Sequence, residues 1–468
     1  MWLRSILSAF IASDMLSSPK RMSFSRSGDI IHTILLFVID FSTSSVINLV
    51  MIQVLRGMKD ILPPESKKWQ KMQKAAEEIF TLFGYSLVIT PIVEKTELFS
   101  RSVGETTDVV SKEMYTFTDK GGDSVTLRPE GTASVVRAYF SSPEWKERLL
   151  KAWYWGPMFR YERPQKGRYR QFFQFGLEAI GTDSPYVDAE LIFLLDVFYK
   201  KLGITDVNVE INSLGCEACR PLYKDELIKF LVSKKELLCE DCKNRLLTNP
   251  LRTLDCKNEK CIEIISKSPA VSNYLCADCK THNTTVLETL DDVKIKYTIN
   301  PNLVRGLDYY SRTVFEFTSL KLGGRQNALG GGGRYDNLSV QLGEKKIPSV
   351  GYAGGIERTL LMMEESAEDK NYDLYLAVLD DKTLKTYLPM ILELKKHYPV
   401  NTEDFRSRDV KKHLSRADKS GARFALIAGE NETNAGVVII KDLLHKKEHK
   451  VKADVKEILG RLLEEKNS

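Results

Sequence analysis

All eight cysteines of this 468-residue chain fall between Cys216 and Cys279, as the pairs Cys216/Cys219, Cys239/Cys242, Cys256/Cys261 and Cys276/Cys279. Disulfide frameworks belong to small secreted domains, whereas three of these pairs have the C-x-x-C spacing that suits tetrahedral thiolate ligation of zinc. Eight thiolates fill two four-cysteine structural Zn²⁺ sites. The other reading is a set of reduced, partly buried thiols, and spacing alone does not say which pairs share an ion. In either case thiol chemistry is confined to one segment, and the rest of the chain must be held by apolar packing. The composition permits this: 43% hydrophobic and 28% charged residues exclude a collagen-like, wholly disordered or polytopic membrane chain. At roughly 100 to 200 residues per domain the length predicts two to four domains. The net charge of +5 says little about partners unless the excess is clustered.

Residues 1–50 stand apart. Eight of the first 29 are serine, and Ile30 to Val54 carries Asp40 as its only full charge. A membrane span, a transit-like leader and a non-functional leader upstream of a start at Met51 compete. A mid-span Asp costs on the order of 3 kcal/mol on insertion scales, and Asp14 and Asp29 count against a transit peptide. Nothing after Met51 needs a membrane, so residues 1–50 are expected to be a leader of doubtful function, an upstream-start artefact, with no membrane partner.

Hydrophobic periodicity organises the remainder. Trp69, Met72, Ala75, Ala76, Ile79, Phe80 and Phe83 form a helical face ended by Gly84. Met114 to Phe117, Ser124 to Leu127 and Trp153 to Phe159 read as antiparallel strands. A second helical stripe, Leu191 to Leu202, precedes an alternating strand at Val207, Val209 and Ile211. The cysteine-rich stretch at 215–295 interrupts this pattern, which resumes from Leu303 to Glu357, so that stretch is expected to be an insertion within one domain. After a charged linker the chain alternates strand and helix from Leu374 to Ile440, which predicts a small α/β domain.

Three kinds of segment carry chemistry. Phe159 to Gly176 is a strand-loop-strand hairpin with Arg160, Arg163, Lys166, Arg168 and Arg170, and a guanidinium fork matches phosphate oxygens two at a time. Leu303 to Tyr310 (L-V-R-G-L-D-Y-Y) places an arginine, an acid and two tyrosines within six residues. Leu329 to Asp336 and Gly351 to Arg358 are glycine-rich, allowing close backbone approach to a ligand. Singly, each reads equally well as a turn or as core.

In this order, with Arg128-Pro129-Glu130-Gly131-Thr132 ahead of them, these segments resemble the bacterial-type histidyl-tRNA synthetases of class II, over nearly everything from Met51 onward. Arg56 to Asp60 resembles that family's opening, the hairpin its motif 2, Arg305 to Tyr310 its histidine signature and Gly351 to Arg358 its motif 3. Asn337 departs from the glycine expected there. The resemblance implies an α+β multidomain chain: a class II antiparallel-sheet catalytic domain (51–366) interrupted by the cysteine-rich insertion (215–295), then a small α/β anticodon-binding domain (372–468).

The resemblance also implies roles. Arg160 and Arg305 approach the α-phosphate of ATP from two sides and are the catalytic pair, while Arg168 and Arg358 grip the outer phosphates with Mg²⁺. Glu130, Thr132 and Gln174 take the histidine ammonium, and Glu178 with Tyr309 and Tyr310 the imidazole. The C-terminal cluster Arg406, Arg408, Lys411, Lys412, Arg416, Lys419 and Arg423 against Asp409 and Asp418 is a local +5, as phosphate contact requires, and Arg406, Arg408, Lys411 and Lys412 are expected to touch tRNA. The implied enzyme is a cytoplasmic, homodimeric histidine–tRNA ligase with tRNA(His), L-histidine and ATP as partners. Two rivals are a catalytically silent histidine-binding regulatory paralogue of histidine biosynthesis and a zinc-dependent nucleic-acid-binding module.

Overall fold

The computed structural model describes residues 52–467 except 105, 106, 108, 147, 166, 307, 308, 324–326, 365–372 and 402–407. The leader and Arg406 therefore lie outside the described residues. The chain divides into residues 1–59 and 60–468. In the first, the described stretch from residue 52 is irregular, with Met58 N donating to Leu55 O at 2.9 Å.

The second unit begins with the amphipathic helix Glu65–Leu82, which buries Trp69, Met72, Ala75, Ala76, Ile79 and Phe80. These are the positions its periodicity marked, except Phe83, which caps the helix and is half-buried. Strands follow in chain order: β1 (Ser86–Leu87), β2 (Val93–Lys95), β3 (Tyr115–Thr118), β4 (Ser124–Leu127), β5 (Leu150–Phe159), β6 (Gln171–Ile180), β7 (Asn208–Ser213), β8 (Tyr297–Ile299), β9 (Ser311–Thr318), β10 (Ala328–Arg334) and β11 (Ser349–Gly355). β2, β4 and β3 form a small sheet, and the other eight form one sheet in the order β1-β5-β6-β11-β10-β9-β7-β8. Its six central strands pair antiparallel, while the edge strands β1 and β8 pair parallel. One face packs against the helices Glu65–Leu82 and Pro185–Lys201 through Phe80, Phe175, Phe198, Phe315 and Tyr352.

Between β7 and β8 the cysteine-rich insertion is helical: Cys219–Val232, Glu240–Thr248, Glu259–Ile265 and Ala277–Asp292, with short 3₁₀ turns between. Its own apolar cluster includes Tyr223, Leu227, Leu231, Leu246 and the buried cysteines. The last helix is tied back to the main sheet by charge. His282 Nε2 lies 2.8 Å from Asp188 Oδ2 on the helix Pro185–Lys201, and Arg334 Nε at the end of β10 donates to the same oxygen at 3.0 Å. All three side chains are buried. Arg334 is thus an internal tie, a role that its glycine-rich segment does not announce. Breaking a buried pair by removing one partner costs about 3–5 kcal/mol because the other charge is left without compensation. Arg334→Met should therefore lower the unfolding free energy measured by urea titration by an amount in that range, and an unchanged value would show that Asp188 does not need this partner.

The C-terminal part contains β12 (Leu374–Val378), β13 (Val400–Asn401), β14 (Phe424–Ala428), β15 (Val437–Asp442) and β16 (Lys447–Lys452). They form one sheet in the order β13-β12-β14-β15-β16, covered by the helices Asp381–His397 and Val455–Asn467, which bury Ile391, Leu394, Ile458 and Leu462 against Leu374, Leu376, Phe424 and Ile440. β12 and β14 are buried at every position, which is why they read as continuous apolar runs. β16 and the last helix were not anticipated: β16 reads K-E-H-K-V-K and carries almost no hydrophobic signal.

Candidate active site

A cavity of about 400 Å³ opens on the antiparallel sheet, with walls supplied by the hairpin, the segment before β9, the first residues of β10, Arg252 of the insertion and the start of the helix after β11. Arg160, Arg168, Arg305 and Arg358 all line it, together with Glu130, Thr132, Gln174, Tyr309 and Tyr310. Residues spread over some 230 positions of sequence are thus brought to one enclosure, and every candidate ATP- or histidine-binding residue except Glu178 is on its wall.

The cations are held from behind. Arg160 Nε donates to Pro129 O at 2.9 Å and its guanidinium lies 5.4 Å from the Phe172 ring centroid. Arg168 Nη1 pairs with Glu162 at 2.9 Å. Arg358 Nη1 donates to Ala328 O at 2.8 Å. Arg305 pairs with Glu316 and sits 5.7 Å from the Tyr310 ring. Space for it depends on Gly331: a Cβ there would stand 2.3 Å from Arg305 Nη1. Five arginines, Arg252 included, and five glutamates, Glu113, Glu130, Glu162, Glu316 and Glu357, line the enclosure, so what suits an anionic ligand is the fork geometry of the guanidinium groups and not a net excess of charge.

Glu130 is buried, and its carboxylate accepts from the Thr132 and Ala133 backbone N–H groups at 2.7 and 2.9 Å, capping the helix Thr132–Ser141. Burial raises its pKa, and those two bonds oppose the shift. Gln174 Oε1 is buried and accepts no hydrogen bond among the described residues. An acceptor carboxylate beside an amide oxygen on one wall suits a small cation such as an ammonium group.

Glu178 lies in a buried strand, as its flanks Phe175 to Leu177 and Ala179 to Ile180 imply. It lies beneath the wall, fully buried in β6, and both oxygens are engaged: Oε1 accepts from Thr132 Oγ1 at 2.7 Å and Oε2 from the Tyr335 hydroxyl. Gly351 makes room, since a Cβ there would fall 1.7 Å from Glu178 Oε2. Burial pushes the Glu178 carboxyl up to about 8, against the lowering effect of the Tyr335 and Thr132 hydrogen bonds. A raised folded-state value means the native protein holds a proton that the unfolded chain releases. This contribution to stability is fully present below the ordinary carboxyl value and is lost as pH rises through about 8. Thermal melts between pH 5 and 8.5 should therefore fall more steeply for the wild type than for Glu178→Gln, and parallel slopes would refute the assignment.

Tyr335, Phe172, Glu162 and Glu316 were missed in the sequence. Tyr335 stood in the G-G-G-R-Y-D run, but nothing local announces that its hydroxyl reaches a strand 157 residues away. Asn337, the one departure noted, takes φ −104°, an ordinary conformation that needs no glycine.

The cysteines resolve into two groups, Cys216/Cys219/Cys276/Cys279 and Cys239/Cys242/Cys256/Cys261, each with four Sγ atoms within 4.8 Å of one another. All eight are free thiols. Sulfur separations of 3.6, 3.9 and 3.8 Å for Cys216–Cys219, Cys216–Cys276 and Cys239–Cys256 match the roughly 3.8 Å edge of a tetrahedron whose metal–sulfur bonds are about 2.3 Å. The first group clamps the two ends of the insertion together, and the second staples its distal part.

On the C-terminal sheet, Arg408, Lys411 and Lys412 are exposed at the start of the helix Val410–Ser420. Arg423 is not part of that face, since it pairs with the buried Asp442 at 3.3 Å. Among the described residues no helix is long and apolar enough to cross a membrane.

Residues 57–359 match the family described as Histidyl-tRNA synthetase, and residues 375–465 the one described as Anticodon binding domain. The histidine–tRNA ligase of Halothermothrix orenii is 47% identical over 394 residues, covering 83% of this chain and 94% of that protein. The solved structure of apo S. aureus histidyl-tRNA synthetase is 35% identical with a TM-score of 0.70, covering 86% of this chain and 97% of that one. A Bacillus halodurans structure titled as an ATP phosphoribosyltransferase regulatory subunit/histidyl-tRNA synthetase shares the fold at 22% identity and a TM-score of 0.59, over 78% of this chain and 96% of that one.

Proposed function

The chain belongs to the histidyl-tRNA synthetase family and acts as a histidine–tRNA ligase, and from that premise we propose how its residues divide the work. The observation that carries the reading is the single cavity that gathers Arg160, Arg168, Arg305 and Arg358 beside Glu130 and Gln174. Activation brings the histidine carboxylate against the α-phosphorus of ATP, joining two anions and expelling pyrophosphate. Cations fixed on both sides of that centre stabilise the charge that develops there. Arg160 and Arg305 fill this role as the catalytic pair, and Arg168 and Arg358 hold the outer phosphates. Phe172, which lines the cavity with Arg160 over its ring, offers a face for the adenine.

Glu130, Thr132 and Gln174 receive the ammonium group. Tyr309 and Tyr310 flank the ring, and Glu178 accepts from it once the Thr132 and Tyr335 hydroxyls turn toward the ligand. A buried polar pair of this kind rejects apolar analogues by roughly 10⁴-fold without editing. Mg²⁺ would enter with ATP and neutralise phosphate charge; Glu316 and Glu357 on the wall would be its hard oxygen donors, released from Arg305 and from the Phe173 N–H. The adenylate then passes its histidyl group to the terminal ribose of tRNA(His). Arg408, Lys411 and Lys412, with Arg406, contact the anticodon arm. Zinc in the two four-cysteine groups shapes the insertion and takes no part in the chemistry, and elemental analysis should find two ions per chain; fewer than one would favour plain thiols.

We assign the catalytic domain to 51–366, its insertion to 215–295 and the anticodon-binding domain to 372–468, with 1–50 a leader of doubtful function. We also infer a cytoplasmic homodimer. The regulatory paralogue shares the fold, so the fold does not separate the readings; Arg305 on the cavity wall and the full C-terminal domain favour the ligase. Histidine-dependent ATP–pyrophosphate exchange tests it: folded protein that exchanges nothing, or exchanges equally with another amino acid, overturns the assignment.

A further inference from the structure

The thiol group at the base of the insertion, Cys216/Cys219/Cys276/Cys279, adjoins the backbone that carries Arg305. Leu214 N donates to Arg312 O at 2.7 Å, and Arg312 N donates to Gly215 O at 2.9 Å. Asn212 Nδ2 donates to Pro301 O and Leu303 O at 3.1 and 3.0 Å. The stretch 212–215, which runs directly into Cys216, therefore straps both ends of the segment that holds Arg305, Tyr309 and Tyr310. Gly215 packs on the thiols: a Cβ there would stand 2.5 Å from Cys219 Cβ and 3.2 Å from its Sγ. Arg312 takes φ +48°, a left-handed conformation that a residue other than glycine keeps only where its surroundings impose it. Here its N–H and its carbonyl are both bonded to the strap.

The two thiol groups differ in access. In the base group Cys216 and Cys276 are half-buried, whereas in the distal group Cys239 is half-buried and Cys242, Cys256 and Cys261 are buried. Cys216 Sγ lies 3.6 Å from Cys219 Sγ and 3.9 Å from Cys276 Sγ. Oxidation of a thiol follows its exposure and the nearness of a second sulfur able to resolve the first product. Cys216 meets both conditions, with Cys219 the nearer of its two neighbours. Cys219 Sγ also accepts from Cys276 N at 3.1 Å, so a change at this pair reaches the other end of the insertion.

We propose that Cys216 and Cys219 are an oxidation site, closed to a disulfide by a peroxide, and that closing it loosens the strap and slows histidine activation. One thiolate attacks a peroxide oxygen, breaks the O–O bond and expels hydroxide, leaving a sulfenic acid. The second thiolate attacks that sulfur and expels a second hydroxide as the S–S bond forms. Two electrons pass from the sulfur pair to the peroxide, and both hydroxides take up protons and leave as water. A metal held by the four sulfurs loses two of its donors in the same event. Transient disulfides of this kind are the sort that a reducing compartment tolerates. The proposal rests on the ligase reading, and the two fail differently: reduced protein that exchanges nothing defeats that reading, whereas oxidation that leaves a working exchange intact defeats only this one.

The experiment treats the full-length wild-type protein with hydrogen peroxide and follows its disulfides by mass mapping alongside histidine-dependent ATP–pyrophosphate exchange. The bond between Cys216 and Cys219 should form before any in the distal group. Exchange should fall in step with it by about 10²-fold, the cost of displacing a reacting group by about an ångström, while circular dichroism shows the chain still folded. Dithiothreitol with Zn²⁺ should restore exchange, which separates this loss from methionine oxidation, since a sulfoxide needs its own reductase. A distal disulfide that forms first, exchange that persists once Cys216 and Cys219 are joined, a loss that the reductant does not reverse, or unfolding of the whole chain overturns the proposal.

Discussion

Arg305→Ala is expected to lower histidine-dependent ATP–pyrophosphate exchange by about 10²- to 10³-fold, the usual cost of removing one preorganised charge from a developing anionic centre. The protein should stay folded, because Arg305 is a wall residue and not part of the buried core clusters. Its loss does strip Glu316 of its partner, so the variant adds repulsion toward phosphate as well as removing attraction. Arg305→Gln with Glu316→Gln separates the two: if the double variant recovers only a few-fold, the cation itself matters. Arg305→Lys should remain well below wild type, since an ammonium presents a point charge where a planar fork is needed. Exchange within fivefold of wild type in the alanine variant would remove Arg305 from the chemistry.

Gly331→Ala should approach the same loss without touching any charge. Its Cβ would stand within 2.3 to 2.5 Å of three guanidinium atoms of Arg305, and the flexible end of an arginine yields before a sheet strand does. The guanidinium should therefore move by about an ångström, and misplacement on that scale costs roughly 10²-fold. Because the backbone is spared, the thermal midpoint should change little while exchange collapses, and combining Gly331→Ala with Arg305→Ala should add almost nothing. A variant of full activity would show that Arg305 works from a different position. A variant that unfolds would show that β10 cannot shed the strain through the side chain.

How much was legible in advance follows the range of the interactions involved. The helix Glu65–Leu82 was readable because its apolar positions repeat at helical spacing, and the buried strands β12 and β14 because they are short continuous apolar runs. The strand β16 was not, because its pairing with β15 is carried by backbone bonds and its side chains are mostly polar. Four arginines, Glu130, Thr132, Gln174 and the tyrosine pair were nameable from motif order, and the cavity collects them. Glu178 was nameable too, and its apolar flanks marked a buried strand; what the sequence did not show is that Gly351 of the neighbouring strand makes the room for its carboxylate.

The sequence by itself determined which chemistry the chain can carry: guanidinium groups in motif order, eight thiols in one insertion, and apolar periodicities that set most of the helices and strands. Only the tertiary structure decided which of these groups meet. It paired Cys216/Cys219 with Cys276/Cys279 across 60 residues, committed Arg334 and Arg423 to buried carboxylates, and brought Arg252 from the insertion to Arg305. The reason is that periodicity and turn chemistry act over a few residues, whereas charge pairing, cavity shape and thiol clustering depend on distances that exist only after distant strands have packed.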